Sequence, residues 1–179
     1  MKRMDASNFH YDDRTIALHW TAAAIVLLTW CLGQSMDLFP RGLPRICARS
    51  LHITLGVVLL AIVWFRLWWR LTGGRRRPEQ AKKLGQSLAS AGHALLYALL
   101  LTGMLLGLAN AWVRGDTIFQ IFTIPKFDPG NKELQERVEN LHALGTNILV
   151  IAAALHAALA LFHHRVLRDD ILHRMLRDR

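Results

Sequence analysis

Four stretches of the chain, residues 15–36, 50–65, 84–113 and 140–164, contain no Asp, Glu, Lys or Arg and are built mainly of apolar side chains. The second resumes after a single Arg66 with Leu67, Trp68 and Trp69. A helix rises about 1.5 Å per residue, so roughly 20 such residues cross the ~30 Å hydrocarbon core of a bilayer. Each stretch can supply that length. The sequence therefore predicts an all-α fold, an integral membrane four-helix bundle with transmembrane helices over about 14–36, 50–70, 86–113 and 140–164, in a single domain covering residues 1–179. A composition that is 53% hydrophobic agrees, because an ordinary soluble domain keeps more polar surface. The first stretch lacks the short apolar core and small-residue cleavage site of a secretory leader and is expected to stay in the mature protein.

Lysine and arginine are unevenly distributed. The N-terminus, the segment joining the second and third stretches, and the C-terminus together carry 15 of them, and the other two connections carry seven. Basic residues are retained on the cytoplasmic side, so both termini are expected there. Acidic residues divide almost evenly, seven against six, which assigns nearly all of the +9 net charge to the cytoplasmic face, where it meets anionic lipid headgroups. The run Arg75, Arg76 and Arg77 belongs to that face, and no nucleic-acid partner is expected from so short a connection between spans.

His142 and His156 lie fourteen residues apart in the fourth stretch. Fourteen steps of about 100° return to within ~40° of the starting direction and advance ~21 Å, so the two rings leave nearly one helix face at two depths. Successive helices cross in opposite directions, which sorts the remaining histidines. His52 joins His142 in an outer layer; His19 and His93 join His156 in an inner one, with His163 and His164 at its boundary. One buried histidine is ordinarily a packed core residue. Two layers, each with histidines on different helices, are what bis-imidazole ligation of two haems requires. The outer pair is then His52 with His142, and the inner layer offers His156 plus a choice between His19 and His93 that spacing does not make. Zinc would recruit thiolate, carboxylate or closely spaced histidines, which the charge-free spans lack. With no C-x-x-C-H motif, covalent attachment is excluded and the haem is expected to be b-type.

Other residues carry two readings each. Gly56, one turn beyond His52, leaves room beside that imidazole or serves helix packing. Trp64, Trp68, Trp69 and Trp112 read as interfacial aromatics, and Arg66 as a side chain that snorkels to headgroups or meets a cofactor carboxylate. Cys31 and Cys47 fall on the outer side, as a disulfide or as two small apolar side chains. The connection over 114–139, with Pro125 and Pro129, suggests a packed cap holding a short helix, and the tail beyond residue 165 a charged surface helix.

These residues sit in motifs that resemble the bacterial cytochrome b561 family, small four-helix di-haem membrane proteins that include the superoxide oxidase. The resemblance covers essentially the whole chain. It is carried by His19 and Trp20 after Arg14, by Leu-His-Ile-Thr-Leu-Gly around His52, and by Gly-His-Ala-Leu-Leu-Tyr ending at Tyr97. The outer loop from Trp-Val-Arg-Gly to Thr-Ile-Pro and the segment from Leu155 to His164 complete it. Met104 departs from it, since some members have a proline there that kinks the third helix.

The resemblance implies that His19 and His156 ligate the inner haem iron and His52 and His142 the outer one, with His93 left beside the inner pair. It also implies a bacterial inner-membrane location and exchange with the quinone pool. In the superoxide oxidase branch, superoxide is the periplasmic donor and ubiquinone the electron acceptor. An anionic donor is steered by positive charge, for which Arg41, Arg45, Arg49, Arg114 and Lys126 are candidates, the plain alternative being loop solubility or contact with haem propionates. His163, seven residues beyond His156 on the same face, is a candidate to bind the quinone or donate a proton. The rival reading is a cytochrome b electron-transfer subunit that links the quinone pool to a partner redox protein; short loops with no appended domain speak against it.

Overall fold

The computed structural model describes residues 11–73, 83–169 and 172–176. Lys2, Arg3, Arg75, Arg76, Arg77, Lys82, Arg177 and Arg179, which enter the charge comparison above, lie outside the described residues. Four helices dominate: α1 (Asp13–Gln34), α2 (Leu43–Thr72), α3 (Lys83–Arg114) and α4 (Lys132–Phe162). α1 packs most extensively on α2 and α3 on α4, while α2 meets α3, and α1 meets α4, along narrower seams. We call the end where α1 starts and α4 finishes the terminal end, and the opposite one the loop end.

All four helices are long and apolar enough to cross a membrane. Their outward surfaces carry large apolar side chains, Leu27, Leu28, Trp64, Leu105, Ile151 and Leu155 all being exposed. The buried core is narrow, formed by Ala22, Leu59 and Val63 with Tyr97, Leu100 and Met104 packed on it. Bulky hydrocarbon outside a small core is the inverse of a water-soluble fold, and it identifies an all-α membrane four-helix bundle.

Two helices begin earlier than the charge-free stretches suggest. α2 starts at Leu43 rather than 50, because Gly42 at φ 100° turns the chain and Pro44 occupies the first turn, where no N–H is needed. α4 starts at Lys132 rather than 140. The Asn131 side chain accepts the Leu134 N–H at 2.9 Å, and the Arg137–Glu133 pair at 2.6 Å supports the charged turns. At the terminal end, the Asp12 carboxylate accepts Thr15 N–H (3.0 Å) and hydroxyl (2.8 Å), capping α1. It also accepts the Trp69 indole N–H at 3.0 Å, tying α1 to the end of α2.

The outer connection contains no helix among the described residues before α4. It forms instead an antiparallel pair, β1 (Thr117–Ile118) and β2 (Phe122–Thr123), with Phe119 and Gln120 both at positive φ in the turn. Such backbone is strained in side-chain-bearing residues. Ser50, fully buried on α2, holds it: its hydroxyl donates to the Ile46 or Thr117 carbonyl and accepts the Phe119 N–H at 2.8 Å. The tail differs from a surface α-helix too. α4 ends in a π-turn over His163–Leu167, Arg168 takes a left-handed conformation, and a single 3-10 turn follows at His173–Met175. That turn returns to α1, its Met175 carbonyl accepting the Trp20 indole N–H at 2.8 Å. Cys31 and Cys47 are both free and exposed, so no disulfide joins them.

Candidate functional site

Near the loop end, α2 and α4 bring His52 and His142 face to edge, ring centroids 6.1 Å apart and planes at 90°. The His142 Nδ1–H donates to the Gly103 carbonyl of α3 at 3.0 Å. Because a carbonyl only accepts, this bond puts the ring proton on Nδ1 and leaves the Nε2 lone pair available to a metal. The Nδ1 of His52 is buried without a hydrogen-bond partner among the described residues.

Both rings pack against glycine. A Cβ at Gly33 would come within 3.3 Å of His52 Cε1, and one at Gly107 within 3.0 Å of His142 Cε1. Gly56, in contrast, faces open space, with no atom that its Cβ would meet. Around the pair lies a cavity of about 360 Å³ that Gly33, Gly56, Gly103 and Gly107 help to line. A volume of that order belongs to small-molecule and cofactor sites.

Charged groups close the cavity at the loop end. Asp116 pairs with Arg49 (3.3 Å) and Arg114 (3.7 Å), and Arg114 also pairs with Glu139 (3.1 Å). Asp116 is 9% exposed, and burial raises its pKa above the ordinary carboxylate value against the opposing pull of the two arginines. Arg49 and Arg114 thus border the cavity. Arg45 instead binds the Phe39 carbonyl (2.8 Å) and Asp37 (3.4 Å) in the α1–α2 connection, while Arg41 and Lys126 are exposed.

At the terminal-end level all four helices contribute. His156 of α4 lies 5.5 Å from His93 of α3, ring centroid to centroid. His19 of α1 accepts at Nδ1 from the Arg66 guanidinium of α2, 2.9 Å away. Arg66 therefore points into the bundle rather than snorkelling to headgroups. Its guanidinium also stands 5.6 Å above the Tyr97 ring, with Arg70 6.0 Å from the same ring. His163, at the end of α4, pairs with Asp169 at 2.6 Å.

Gly33, Gly107, Asp116 and Glu139 were not singled out by the sequence. The i,i+4 glycines 103 and 107 are a small-residue face that could have been noticed, and Glu139 lies three residues before His142, one turn away. Gly33 and Asp116 had no such signal, since their partners come from other helices.

Among the described residues no three His, Cys, Asp or Glu side chains gather into a metal site. Two facing imidazoles with one free lone pair fixed, one orphaned ring nitrogen and a glycine-lined cavity fit a metal whose other ligands come from a macrocycle. A membrane four-helix bundle carrying imidazoles at two depths is the architecture of a haem-binding electron carrier. The chain belongs to the prokaryotic cytochrome b561 family, whose model matches residues 10–178. It is 29% identical over 174 residues to a cytochrome b562 of Cereibacter sphaeroides, covering 94% of this chain and 96% of that one. It is 26% identical over 172 residues to a protein of Yersinia pestis described as a probable superoxide oxidase, CybB (93% and 95%). Identity is 29% over 168 residues to cytochrome b561 homolog 1 of Escherichia coli (90% and 93%). This is accordingly a bacterial membrane electron-transfer protein of oxidoreductase type, in a family that binds haem b.

Proposed function

We propose that this single four-helix domain holds two haem b groups in the bacterial inner membrane and passes electrons from superoxide, on the periplasmic side, to ubiquinone. The observation that carries the reading is the pair of imidazole layers, each drawing histidines from different helices. Held between imidazoles of these layers, haem b would supply one-electron transfer.

His52 and His142 hold the outer haem, and the Gly103 carbonyl keeps His142 in the tautomer that ligation needs. His156 and His19 hold the inner one, an assignment that rests on family resemblance; His93, the ring neighbour of His156, is the rival to His19. A His19 that ligates through Nε2 carries its proton on Nδ1 and so gives up its bond to Arg66. The distribution of 15 basic residues against seven supports cytoplasmic termini, so the loop end faces the periplasm. There Asp116 and Glu139 pair with Arg49 and Arg114, so the attraction of an anion falls to Arg41 and Lys126, which are exposed and have no ion-pair partner among the described residues. Two superoxide anions each give up one electron and leave as dioxygen, while one ubiquinone takes two electrons and two protons. His163, held by Asp169, is the candidate for proton transfer at the terminal end.

Stopped-flow reduction of the haem bands by generated superoxide, with and without a short-chain ubiquinone, tests this. Reduction faster than spontaneous dismutation, followed by reoxidation when quinone is present, is expected. Failure to outpace dismutation would leave an electron-transfer subunit serving a partner redox protein.

A further inference from the structure

The two imidazole layers are matched in chemistry but not in charge. At the loop end, Arg49 and Arg114 are balanced by Asp116 and Glu139 within one ion-paired cluster. Glu139 moreover lies three residues before His142 on α4, one helical turn away. At the terminal end, Arg66 is half-buried inside the bundle and bonds His19 at 2.9 Å, in the layer that also holds the ring pair His93 and His156. No carboxylate among the described residues lies within ion-pairing distance of Arg66 or of Arg70 behind it. The neighbours of Arg66 are a histidine, which cannot neutralise it, and the face of Tyr97.

A guanidinium keeps its charge at any physiological pH. In a low-dielectric interior that charge is weakly screened, and it favours whichever state of a nearby centre is less positive. Reduction lowers the charge of a centre by one. We infer that Arg66 is a positioning residue for electron flow: it raises the electron affinity of the terminal-end layer above that of the loop-end layer, so electrons entering at the loop end run toward the terminal end. An electron leaving the loop-end site oxidises it and reduces the terminal-end site, with no bond made or broken and no proton moved. Arg66 acts through its field and touches neither superoxide nor quinone. The inference rests on the two-haem reading above.

The test is a spectroelectrochemical titration of the full-length holoprotein in nanodiscs, comparing wild type with Arg66→Gln, Arg66→Lys and Glu139→Gln. Wild type should titrate in two waves. Arg66→Gln should lower the more positive wave by at least tenfold in the one-electron equilibrium, which is 59 mV for a one-electron couple. Arg66→Lys, which keeps the charge, should restore that wave, whereas a purely packing role would not be rescued. Glu139→Gln should raise the less positive wave and leave the other in place. Should Arg66→Gln lose haem, Arg70→Glu takes its place, keeping Arg66 and setting a carboxylate one turn from it: the more positive wave should fall, and a wave that stays in place would overturn the inference. Two haems whose waves move less than threefold in these variants, or an Arg66→Lys protein that titrates like Arg66→Gln, would overturn the inference and spare the two-haem reading. Fewer than two haems per wild-type chain would overturn both.

Discussion

An alanine at position 107 would press directly on the His142 imidazole. Its Cβ would stand 3.0 Å from Cε1, 3.5 Å from Nδ1 and 3.7 Å from Nε2. Carbon atoms rest at about 3.5–4.0 Å, so the ring must retreat by roughly 0.5 Å or more. That retreat is opposed by the Nδ1–H bond to the Gly103 carbonyl, already at 3.0 Å. Overpacking of this kind costs about 1–3 kcal/mol, and the better helix propensity of alanine returns about 1 kcal/mol. The net penalty at the loop-end site is then up to about 2 kcal/mol, or roughly 30-fold in haem retention at 1.4 kcal/mol per tenfold. Gly92→Ala is the control: its methyl meets nothing within 4 Å, and it should stabilise the chain by about 0.5–1 kcal/mol. Gly33→Ala, at 3.3 Å from His52 Cε1, should fall between them. Haem content by absorbance, with unfolding of the same samples in mixed micelles, ranks the three. A Gly107→Ala protein as stable as Gly92→Ala, with full loop-end haem, would refute the confinement of His142 by α3.

Ser50→Ala removes the acceptor of the Phe119 N–H and should cost about 1–3 kcal/mol, read as earlier thermal loss of the hairpin by hydrogen exchange. Asn147→Leu breaks the bonds from Trp30 (2.9 Å) and Gln34 (3.0 Å) that join α1 to α4, and should lower stability in micelles by about 0.6–2 kcal/mol. Asp116 has a raised folded pKa, so it binds its proton more tightly folded than unfolded; its contribution is present below the ordinary carboxylate range and is lost as pH rises through the raised value. Melting of wild type minus Asp116→Asn between pH 4 and 7, a window of roughly one carboxylate titration, should therefore fall with pH, and a rising difference would contradict burial as the dominant cause. Replacing His52 or His142 with alanine should abolish one haem signal and leave the other, whereas loss of both would show that the two layers do not load separately.

The spans were legible because hydrocarbon tolerates so few sequences: a charge-free run of that length has little else to be. Their ends were less legible, because the last turns of a membrane helix stand in water, where caps such as Asn131 and pairs such as Glu133 with Arg137 decide. Sorting the histidines by depth needed only helix direction, and the structure brings His52 to His142 and His93 to His156. Which imidazole faces which glycine depends on how the helices are rotated, and nothing local to Gly33 or Gly107 records that. Arg66 was legible as an intramembrane charge, but its inward direction follows from His19 and Tyr97, contributed by two other helices.

Among the described helices α4 alone supplies a ring to both layers, and its bonds from Trp30 and Gln34 grip it at Asn147, between the two rings. It is thus a lever with a fulcrum. The arms are five and nine residues long, about 7.5 and 13.5 Å. A tilt that carries His142 through 0.5 Å would swing His156 about 0.9 Å the opposite way. Motion at the loop end therefore arrives at the terminal end magnified nearly twofold and reversed, a mechanical link between the layers that requires no side chain in the span between them.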